Sequence, residues 1–201
     1  MLNMLDNSDL LPGFPEPVNQ SQVTFRAVLN AMSRPGTIVT CGADLAPPAP
    51  LHPATGAFLL TMADFETPVW VGAHLQDSNA ATWLKFHCSC PMAAVPSSAP
   101  FAVISDQGRM PPLEHFAQGT EDYPDRSTTL IIQVGGLKTG SGLQLRGPGI
   151  QDKTGLAVDG LSELFWVEWA DNHYLFPLGV DLVLTSGTDL VALPRTTMVE
   201  F

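Results

Sequence analysis

Apolar positions along the chain follow two periods, and the helical period is clearest near the N-terminus. Between residues 19 and 33 apolar side chains recur every three to four positions, which predicts a helix with one buried face. Asn19 is its expected N-cap, with Gln22 completing a capping box, and Pro35 stops the helix because proline cannot continue the hydrogen-bond ladder. The expected buried face consists of Phe25, Val28, Leu29 and Met32.

The helical period recurs in three later segments. Pro53 suits the first turn of a helix over residues 54–63, and Ser78 is the expected N-cap of the next helix. A fourth helix is predicted over residues 160–170, although the run FWVEW inside it also alternates like a strand. The expected shared face of the helix after Ser78 carries Ala80, Trp83, Leu84 and His87. The fourth helix is supported by Leu161, Leu164, Phe165 and Trp169.

Short β-branched and apolar runs between these helices predict strands. The run at 128–134, TTLIIQV, is nearly continuous, a pattern typical of a strand covered on both faces. The last two runs are separated by four residues and predict a hairpin, so the sheet is mixed. Residues 46–53 hold four prolines and residues 135–142 hold four glycines, which predicts loops. The remaining expected strands are 37–40, 68–71, 101–104, 143–146, 180–185 and 190–193.

Interleaved helices and strands indicate an α/β fold with helices on both faces of a mixed sheet, a three-layer sandwich. The chain has 201 residues, and no repeat or change in composition divides it, so we expect one domain over residues 1–201. We expect the first twelve residues or so to form an extended N-terminal arm.

The composition is apolar and acidic. Apolar residues make up 45% of the chain and charged residues only 14%, which predicts apolar surface that a partner covers, although uncharged polar residues could also solvate it. Nine basic against 20 acidic residues give a net charge of −11, which disfavours binding to nucleic acid or to an anionic membrane. The first basic residue is Arg26 and no run is long enough to span a membrane, so we expect a cytoplasmic protein.

Two motifs with metal or phosphate chemistry have simpler interpretations. His87, Cys88 and Cys90 form the segment HCSC, but its one-residue spacing and missing fourth ligand favour a buried helix end over a zinc site. The Gly147-Pro148-Gly149 turn follows a strand, but its proline removes an N–H that a phosphate cradle would use. We therefore expect no metal and a structural turn.

Two common catalytic arrangements are missing from the sequence. The chain has three lysines for a pyridoxal phosphate (PLP) Schiff base, and nothing around Lys85, Lys138 or Lys153 resembles support for one. No GxSxG nucleophile elbow occurs. We expect no cofactor and assign no catalytic residue.

The C-terminal third holds the remaining candidate chemistry. Arg195, Thr196 and Thr197 follow Pro194 and could bind a phosphate-like anion, with Arg34 and His173 also facing such a pocket. Alternatively, Arg195 could pair with Asp181 and connect the last strands. The sequence favours that structural role.

Several segments together resemble one family. They are FRA at 25–27, AMSRPG at 31–36, TPVW at 67–70, TLIIQV at 129–134, GPGI at 147–150, FPLGVDL at 176–182 and LPRTT at 193–197. In order and spacing they resemble the PhnH family of bacterial phosphonate metabolism, over about residues 12–200. The shared structural motif residues are Gly147, Pro148, Gly149, Pro177, Gly179 and Asp181.

The resemblance implies a fold similar to PLP-dependent transferases but without their cofactor site. It implies a homodimer that joins PhnG, PhnI and PhnJ in the carbon–phosphorus (C–P) lyase core complex. With PhnG, PhnI and PhnL, such a subunit supports transfer of an alkylphosphonate to the ribose C1 of ATP, displacing adenine and giving ribose 1-alkylphosphonate 5-triphosphate. It also allows contact with phosphonate or ATP, and implies a subunit that is not catalytic alone. The alternative is a homodimeric scaffold or anion-binding protein outside phosphonate metabolism.

Overall fold

The computed structural model describes residues 10–200, which form an α/β fold around a six-stranded mixed sheet. Its helices are α1 (Pro17–Ser33), α2 (Pro53–Met62), α3 (Ala73–Gln76), α4 (Asn79–Cys88) and α5 (Glu163–Tyr174). Its strands are β1 (Val39–Thr40), β2 (Val69–Val71), β3 (Phe101–Ile104), β4 (Thr129–Gln133), β5 (Gly136–Arg146), β6 (Thr154–Asp159), β7 (Asp181–Ser186), β8 (Asp189–Leu193) and β9 (Met198–Glu200).

The main sheet has the order β1-β8-β7-β4-β3-β2. Strands β2, β3, β4 and β7 run parallel to one another. Strand β8 pairs antiparallel with β7, and β1 pairs antiparallel with β8 at the edge of the sheet. Strand β4 lies inside the sheet between two parallel neighbours, as its continuous apolar sequence predicted. The expected hairpin is β7 followed by β8, so the mixed α/β sheet is confirmed.

Alternate side chains of the central strands enter two separate cores. Ile131 and Val183 pack on one face of the sheet, together with apolar side chains of α1, α2 and α4. Leu130 and Leu182 pack on the other face, with α5 and a second sheet of order β6-β5-β9. Each strand of the parallel region is thus buried on both sides, because helices cover one face and a helix with a small antiparallel sheet covers the other.

Helix α1 has the predicted period but a different buried face. Its buried residues are Thr24, Val28 and Ala31, whereas Phe25 and Leu29 are 49% and 58% exposed. The helix packs against α2 and β8 through its small side chains, which permit a close approach of the backbones. The expected burial of Phe25 and Leu29 is therefore wrong, and both side chains face outward.

The N-terminal cap of α1 also differs from the prediction. The helix begins at Pro17, and its cap residue is Glu16. Asn19 lies inside the first turn, where its side-chain amide donates to Glu16 Oε2 at 3.0 Å. Proline suits this first position because its missing N–H would have no partner there in any case.

The glycine-rich segment 135–142 is a strand and not the expected loop. It forms most of β5, which pairs with β6 and β9 in the second sheet. The register shifts between Thr139 and Leu143, where Gly140 and Gly142 adopt positive φ angles of 92° and 85°. A bulge of this kind suits glycine and explains why the segment resembles a turn in sequence. Strands β6 and β9 were not predicted from the sequence; β6 pairs with the preceding β5, and β9 pairs with β5 from much further along the chain.

The other helix predictions are largely confirmed. Pro53 opens α2, and the Ser78 hydroxyl caps α4 by accepting from the Ala80 amide at 3.2 Å. Helix α5 begins later and ends later than expected, with Ser162 as its N-cap, and Leu164 is exposed although a buried position was expected. The ambiguous FWVEW run is helical. In the α4 face, Ala80, Trp83 and Leu84 are buried and His87 is half-buried.

The expected N-terminal arm lies largely outside the described residues. Residues 10–12 have no regular secondary structure, and the Leu11 carbonyl accepts hydrogen bonds from Trp83 Nε1 at 2.7 Å and from His87 Nε2 at 3.0 Å. Among residues 10–200 no helix has the length and apolar character to cross a membrane.

Candidate functional site

Arg195 forms an ion pair with Asp181. Its Nη2 lies 2.6 Å from Asp181 Oδ2, its Nε donates to Oδ1 at 3.1 Å, and its backbone N–H donates to the same Oδ1 at 2.8 Å. The two side chains are only 11% and 17% exposed. Because Asp181 begins β7 and Arg195 follows β8, the pair connects the open ends of the hairpin.

The remaining donors of the Arg195 guanidinium are also occupied. Nη1 donates to the carbonyls of Pro124 at 2.9 Å and Pro177 at 3.3 Å, and Nη2 donates to the Ser127 hydroxyl. An arginine side chain has five N–H donors, and each has an acceptor within this protein. A bound anion would have to replace one of them. The geometry matches the structural role that the sequence favoured.

His173, Thr196 and Thr197 belong to the same structural region. His173 Nδ1 lies 3.0 Å from the Arg195 carbonyl, and Trp169 Nε1 donates to the Thr197 carbonyl at 3.2 Å. Thr197 is fully buried, and its hydroxyl has no hydrogen-bond partner among the residues described. These contacts fix the segment after β8 against α5.

The Gly147-Pro148-Gly149 motif is a tight turn between two neighbouring segments. The Ile150 amide donates to the Gly147 carbonyl at 3.1 Å, which closes the turn. A Cβ on Gly147 would lie 2.7 Å from the Thr196 carbonyl oxygen, and one on Gly149 would collide with the carbonyl oxygen of Ser33 at the end of α1. Only glycine fits these positions, because each φ is also positive, 139° and 84°.

The segment around Pro177 and Gly179 packs in a similar way against α5. The Phe176–Pro177 peptide bond is cis, and Gly179 has a φ of 112° with its amide donating to the Gln118 carbonyl at 2.9 Å. The Asn172 side chain accepts from the Val180 amide at 2.8 Å and donates to the Val180 carbonyl at 3.0 Å. The motif therefore shapes the entry into β7 and so positions Asp181.

Arg34 lines a different place from the other predicted anion ligands. It borders an open cavity of about 530 Å³ together with Thr37, Gln151, Asp152 and Lys153. His173, Arg195, Thr196 and Thr197 do not line this cavity. The structure therefore does not bring Arg34 together with the other four predicted residues at this cavity.

The charges around the Arg34 cavity are only partly neutralised. Lys153 pairs with Glu200 at 2.8 Å, and Arg146 pairs with the same carboxylate at 3.3 Å. Hydrogen bonding to Lys153 holds the pKa of Glu200 below its usual range. Arg34 is exposed and has no carboxylate within 4.0 Å among residues 10–200.

A second cavity of about 370 Å³, which was not predicted from the sequence, lies beside α5. Its lining brings three carboxylates together from two distant segments, with no lysine or arginine among the lining residues. The sequence contained one signal of this acidic site, because every charged residue of α5 is acidic. These residues are Glu163, Glu168 and Asp171. The lining residues are Pro112, Leu113, Glu114, Gln118, Glu168, Asp171, Asn172 and Leu175.

The cysteines are buried thiols, as expected for Cys88 and Cys90. Cys88 Sγ donates to the Leu59 carbonyl at 3.6 Å and Cys90 Sγ to the Leu84 carbonyl at 3.9 Å. Hydrogen bonding with Cys90, followed by burial, raises the pKa of Cys88, and burial raises the pKa of Cys41 to about 12. Within residues 10–200 no group of three or more His, Cys, Asp and Glu side chains could hold a metal ion.

These features define an α/β protein with a mixed sheet. Its motif residues contact backbone atoms of neighbouring segments, and its helices expose apolar side chains. The family model described as "Bacterial phosphonate metabolism protein (PhnH)" matches residues 12–200. The chain therefore belongs to the PhnH family, and the resemblance found in its sequence is confirmed.

Two curated relatives support this membership. The chain is 41% identical over 187 residues to "Alpha-D-ribose 1-methylphosphonate 5-triphosphate synthase subunit PhnH" of Rhizobium meliloti (strain 1021), covering 93% of this chain and 94% of the relative. It is 32% identical over 182 residues to "Putative C-P lyase subunit protein HtxG" of Stutzerimonas stutzeri, covering 90% and 86%. The similarity extends over nearly the whole length of both proteins.

Proposed function

We propose that this chain is an accessory subunit of a C–P lyase core complex. With PhnG, PhnI and PhnL it would support transfer of an alkylphosphonate to the ribose C1 of ATP, with adenine as the leaving group. The observation that carries this proposal is the 41% identity to a subunit named for ribose 1-methylphosphonate 5-triphosphate synthase. The similarity to a second C–P lyase subunit agrees with it.

An accessory role rather than an independent catalytic one is supported by the motif residues. The polar groups of Arg195, Asp181 and His173 bind one another or nearby backbone atoms. The two glycines of the Gly147-Pro148-Gly149 turn meet backbone oxygens of neighbouring segments. The family motifs therefore stabilise the fold, and function falls to the surfaces that the fold presents.

We also propose that the protein is cytoplasmic and self-associates as a homodimer that joins PhnG, PhnI and PhnJ. The outward face of α1 is the surface that fits a second copy. Val18, Phe25 and Leu29 are exposed and lie within 40° of one another around the helix, at 100° per residue. Arg26 is the only charged side chain in α1, so a two-fold interface would bring few like charges together.

The fold proposal includes a similarity to PLP-dependent transferases without their cofactor site. The surroundings of the three lysines support the proposal that the PLP site is missing. Lys85 and Lys138 are exposed on α4 and β5, and Lys153 pairs with Glu200. None lies in an enclosed pocket of the kind that holds an internal aldimine.

We assign the proposed contact with phosphonate or ATP to Arg34. Its guanidinium has no carboxylate partner among residues 10–200 and borders a cavity that also holds Lys153. The same observation is compatible with the alternative function, an anion-binding scaffold outside phosphonate metabolism. Calorimetry with ATP and methylphosphonate tests this site: binding lost in Arg34→Ala but kept in Arg109→Ala supports it, and equal binding by both variants contradicts it.

Reconstitution tests the main proposal. PhnG, PhnI, PhnJ and PhnL are co-expressed with and without this chain, and the purified assemblies are compared for composition and for adenine release from ATP and methylphosphonate. We expect this chain to co-purify with the core subunits and adenine release to depend on its presence. Consistent failure to associate would overturn the proposal. A chain that associates without affecting assembly or turnover would contradict the supporting role in adenine release.

A further inference from the structure

Helix α5 presents an outward face that is mostly apolar although it borders solvent. Leu164, Val167 and Tyr174 are 68%, 44% and 80% exposed, and Asp171 is exposed between them. Val167, Asp171 and Tyr174 follow Leu164 by three, seven and ten residues. At about 100° per residue, all four side chains therefore lie within an arc of about 80° around the helix axis. The opposite side of the helix is anchored in the core by Phe165, Trp166 and Trp169.

The cavity beside this face is acidic. Glu114 and Asp171 are exposed at its lining, and Glu168 is held by the Leu113 amide, which donates to its Oε2 at 3.1 Å. Gln118 donates from its Nε2 to the Leu113 carbonyl at 2.7 Å, while its Oε1 is buried without a donor among the described residues. The cavity therefore offers several acceptors, and no lysine or arginine lines it.

We infer that Leu164, Val167, Asp171 and Tyr174, with the adjoining cavity, form a docking face for an amphipathic basic segment of another subunit. Apolar side chains of that segment, three to four residues apart, would pack on Leu164, Val167 and Tyr174. A lysine or arginine between them would enter the cavity toward Asp171 and Glu114. The inference rests on the proposed function, because that function supplies the partner subunits.

Charge argues against two other occupants of this face, a second copy of this chain and an anionic lipid surface. In a two-fold homodimer each residue meets a symmetric copy of the same surface, so Asp171 and Glu114 would oppose other carboxylates. An anionic lipid surface would be repelled by the same groups. The face thus complements a basic partner, whereas the α1 face, which lacks carboxylates, suits a second copy.

Charge reversal tests the inference in the co-expressed complex with PhnG, PhnI and PhnJ. Glu114→Arg combined with Asp171→Arg reverses the two exposed carboxylates without touching the Glu168 hydrogen bond. We expect at least tenfold weaker association with the core subunits and an unchanged mass for this chain alone by light scattering. The matched control is Asp44→Arg with Glu66→Arg, which makes the same charge change at exposed positions outside the cavity. We expect this control to assemble like the parent.

Each outcome has a distinct meaning. Parental association of the double variant overturns the docking face while leaving the proposed function intact. Dissociation of the chain's own dimer by that variant overturns it as well, because the face then holds a second copy. A parent chain that binds none of the core subunits overturns the proposed function and the inference with it.

A photo-crosslinking residue at position 174 identifies the occupant directly. Tyr174 is strongly exposed, so its replacement should leave the fold intact, which the melting temperature checks. We expect a crosslink to a segment of another subunit that combines apolar residues with lysine or arginine. A crosslink to a second copy of this chain, or to an acidic segment, would overturn the inference.

Discussion

Asp181 and Arg195 are joined by three hydrogen bonds of 2.6 to 3.1 Å, two from the guanidinium and one from the backbone amide of Arg195. Asp181 begins β7 and Arg195 follows the end of β8, so the pair connects the two open ends of a hairpin in the main sheet. The carbonyls of Pro124 and Pro177 and the Ser127 hydroxyl accept the other N–H groups of the side chain. One arginine thus fixes three segments of the chain.

Removing one partner of this pair should destabilise the fold. Arg195→Met leaves Asp181 in a largely buried place without its counter-ion, which costs about 3–5 kcal/mol. The comparison is Arg109→Met, which breaks an exposed ion pair with Asp106 and should cost at most about 1 kcal/mol. Urea unfolding measures both. A small loss at Arg195 together with lost anion binding would contradict the structural role.

Gly149 should tolerate alanine far less well than Gly140. Both have positive φ angles, 84° and 92°, but a Cβ on Gly149 meets the Ser33 carbonyl oxygen, whereas one on Gly140 meets nothing within 4 Å. Gly140→Ala should cost about 1–2 kcal/mol for the left-handed backbone alone. We expect Gly149→Ala to cost clearly more, as measured by urea unfolding. Equal losses would mean that α1 and the turn separate easily.

Local signals in the sequence predicted the elements that depend on local chemistry. Pro53 and Ser78 opened helices as expected, because an N-terminal proline and a hydroxyl cap act within one turn. The continuous apolar run of β4 indicated a central strand. The pairing of Arg195 with Asp181 was also among the sequence alternatives, since the two residues flank the ends of a predicted hairpin.

Features that depend on tertiary packing and strand pairing were not predictable from the chain alone. The period of α1 was found but its phase was not, because close packing against α2 selected small Thr24 and Ala31 over the more apolar Phe25. Strand β5 looked like a loop because its glycines form a bulge that only pairing with β6 explains. The acidic cavity escaped detection because Glu114 lies far from α5 in sequence.

The outward face of α1 should control self-association. Phe25→Arg places a charge in the middle of the exposed Val18, Phe25 and Leu29 stripe, and a two-fold interface would then bring two arginines together. We expect the dimer to become a monomer in light scattering. Val23→Arg is the control, because Val23 is similarly exposed but lies about 140° around the helix from Val18. A dimer that survives Phe25→Arg would place its interface elsewhere.

The native protein should protect all three thiols from a disulfide reagent at pH 7.5. Cys41, Cys88 and Cys90 are buried, and a raised pKa keeps Cys41 and Cys88 protonated and unreactive. We expect no rapid labelling in buffer and three thiols per chain in guanidinium chloride. Phe86→Cys is a positive control, since position 86 is exposed on α4 and should label at once. Rapid labelling of the native parent would show that the segment carrying the labelled cysteine opens.

His52 should make stability depend on pH near neutrality. Its backbone amide donates to Gln133 Oε1 at 2.6 Å, and its Nδ1 lies 3.3 Å from the Thr185 carbonyl. Burial lowers the pKa of His52, and the Thr185 carbonyl opposes that shift in part. As the pH falls, the His52 imidazole is therefore protonated in the unfolded chain, at a pH of about 6.5, before it is protonated in the folded protein. The stabilisation is complete above that pH and is lost as the pH falls through the lowered pKa of the folded state.

The variant His52→Gln isolates this contribution, because the other four histidines are common to both proteins and cancel in the difference. The free energies of unfolding of parent and variant are compared at pH 7.5 and 5.5. The carboxylates of Asp64 and Glu200, whose pKa values are lowered, stay ionised over this range in both the folded and the unfolded protein. We expect the advantage of the parent over the variant to be smaller at pH 5.5. An advantage that is constant, or that grows toward acid, would mean that the loop before α2 accommodates a protonated His52.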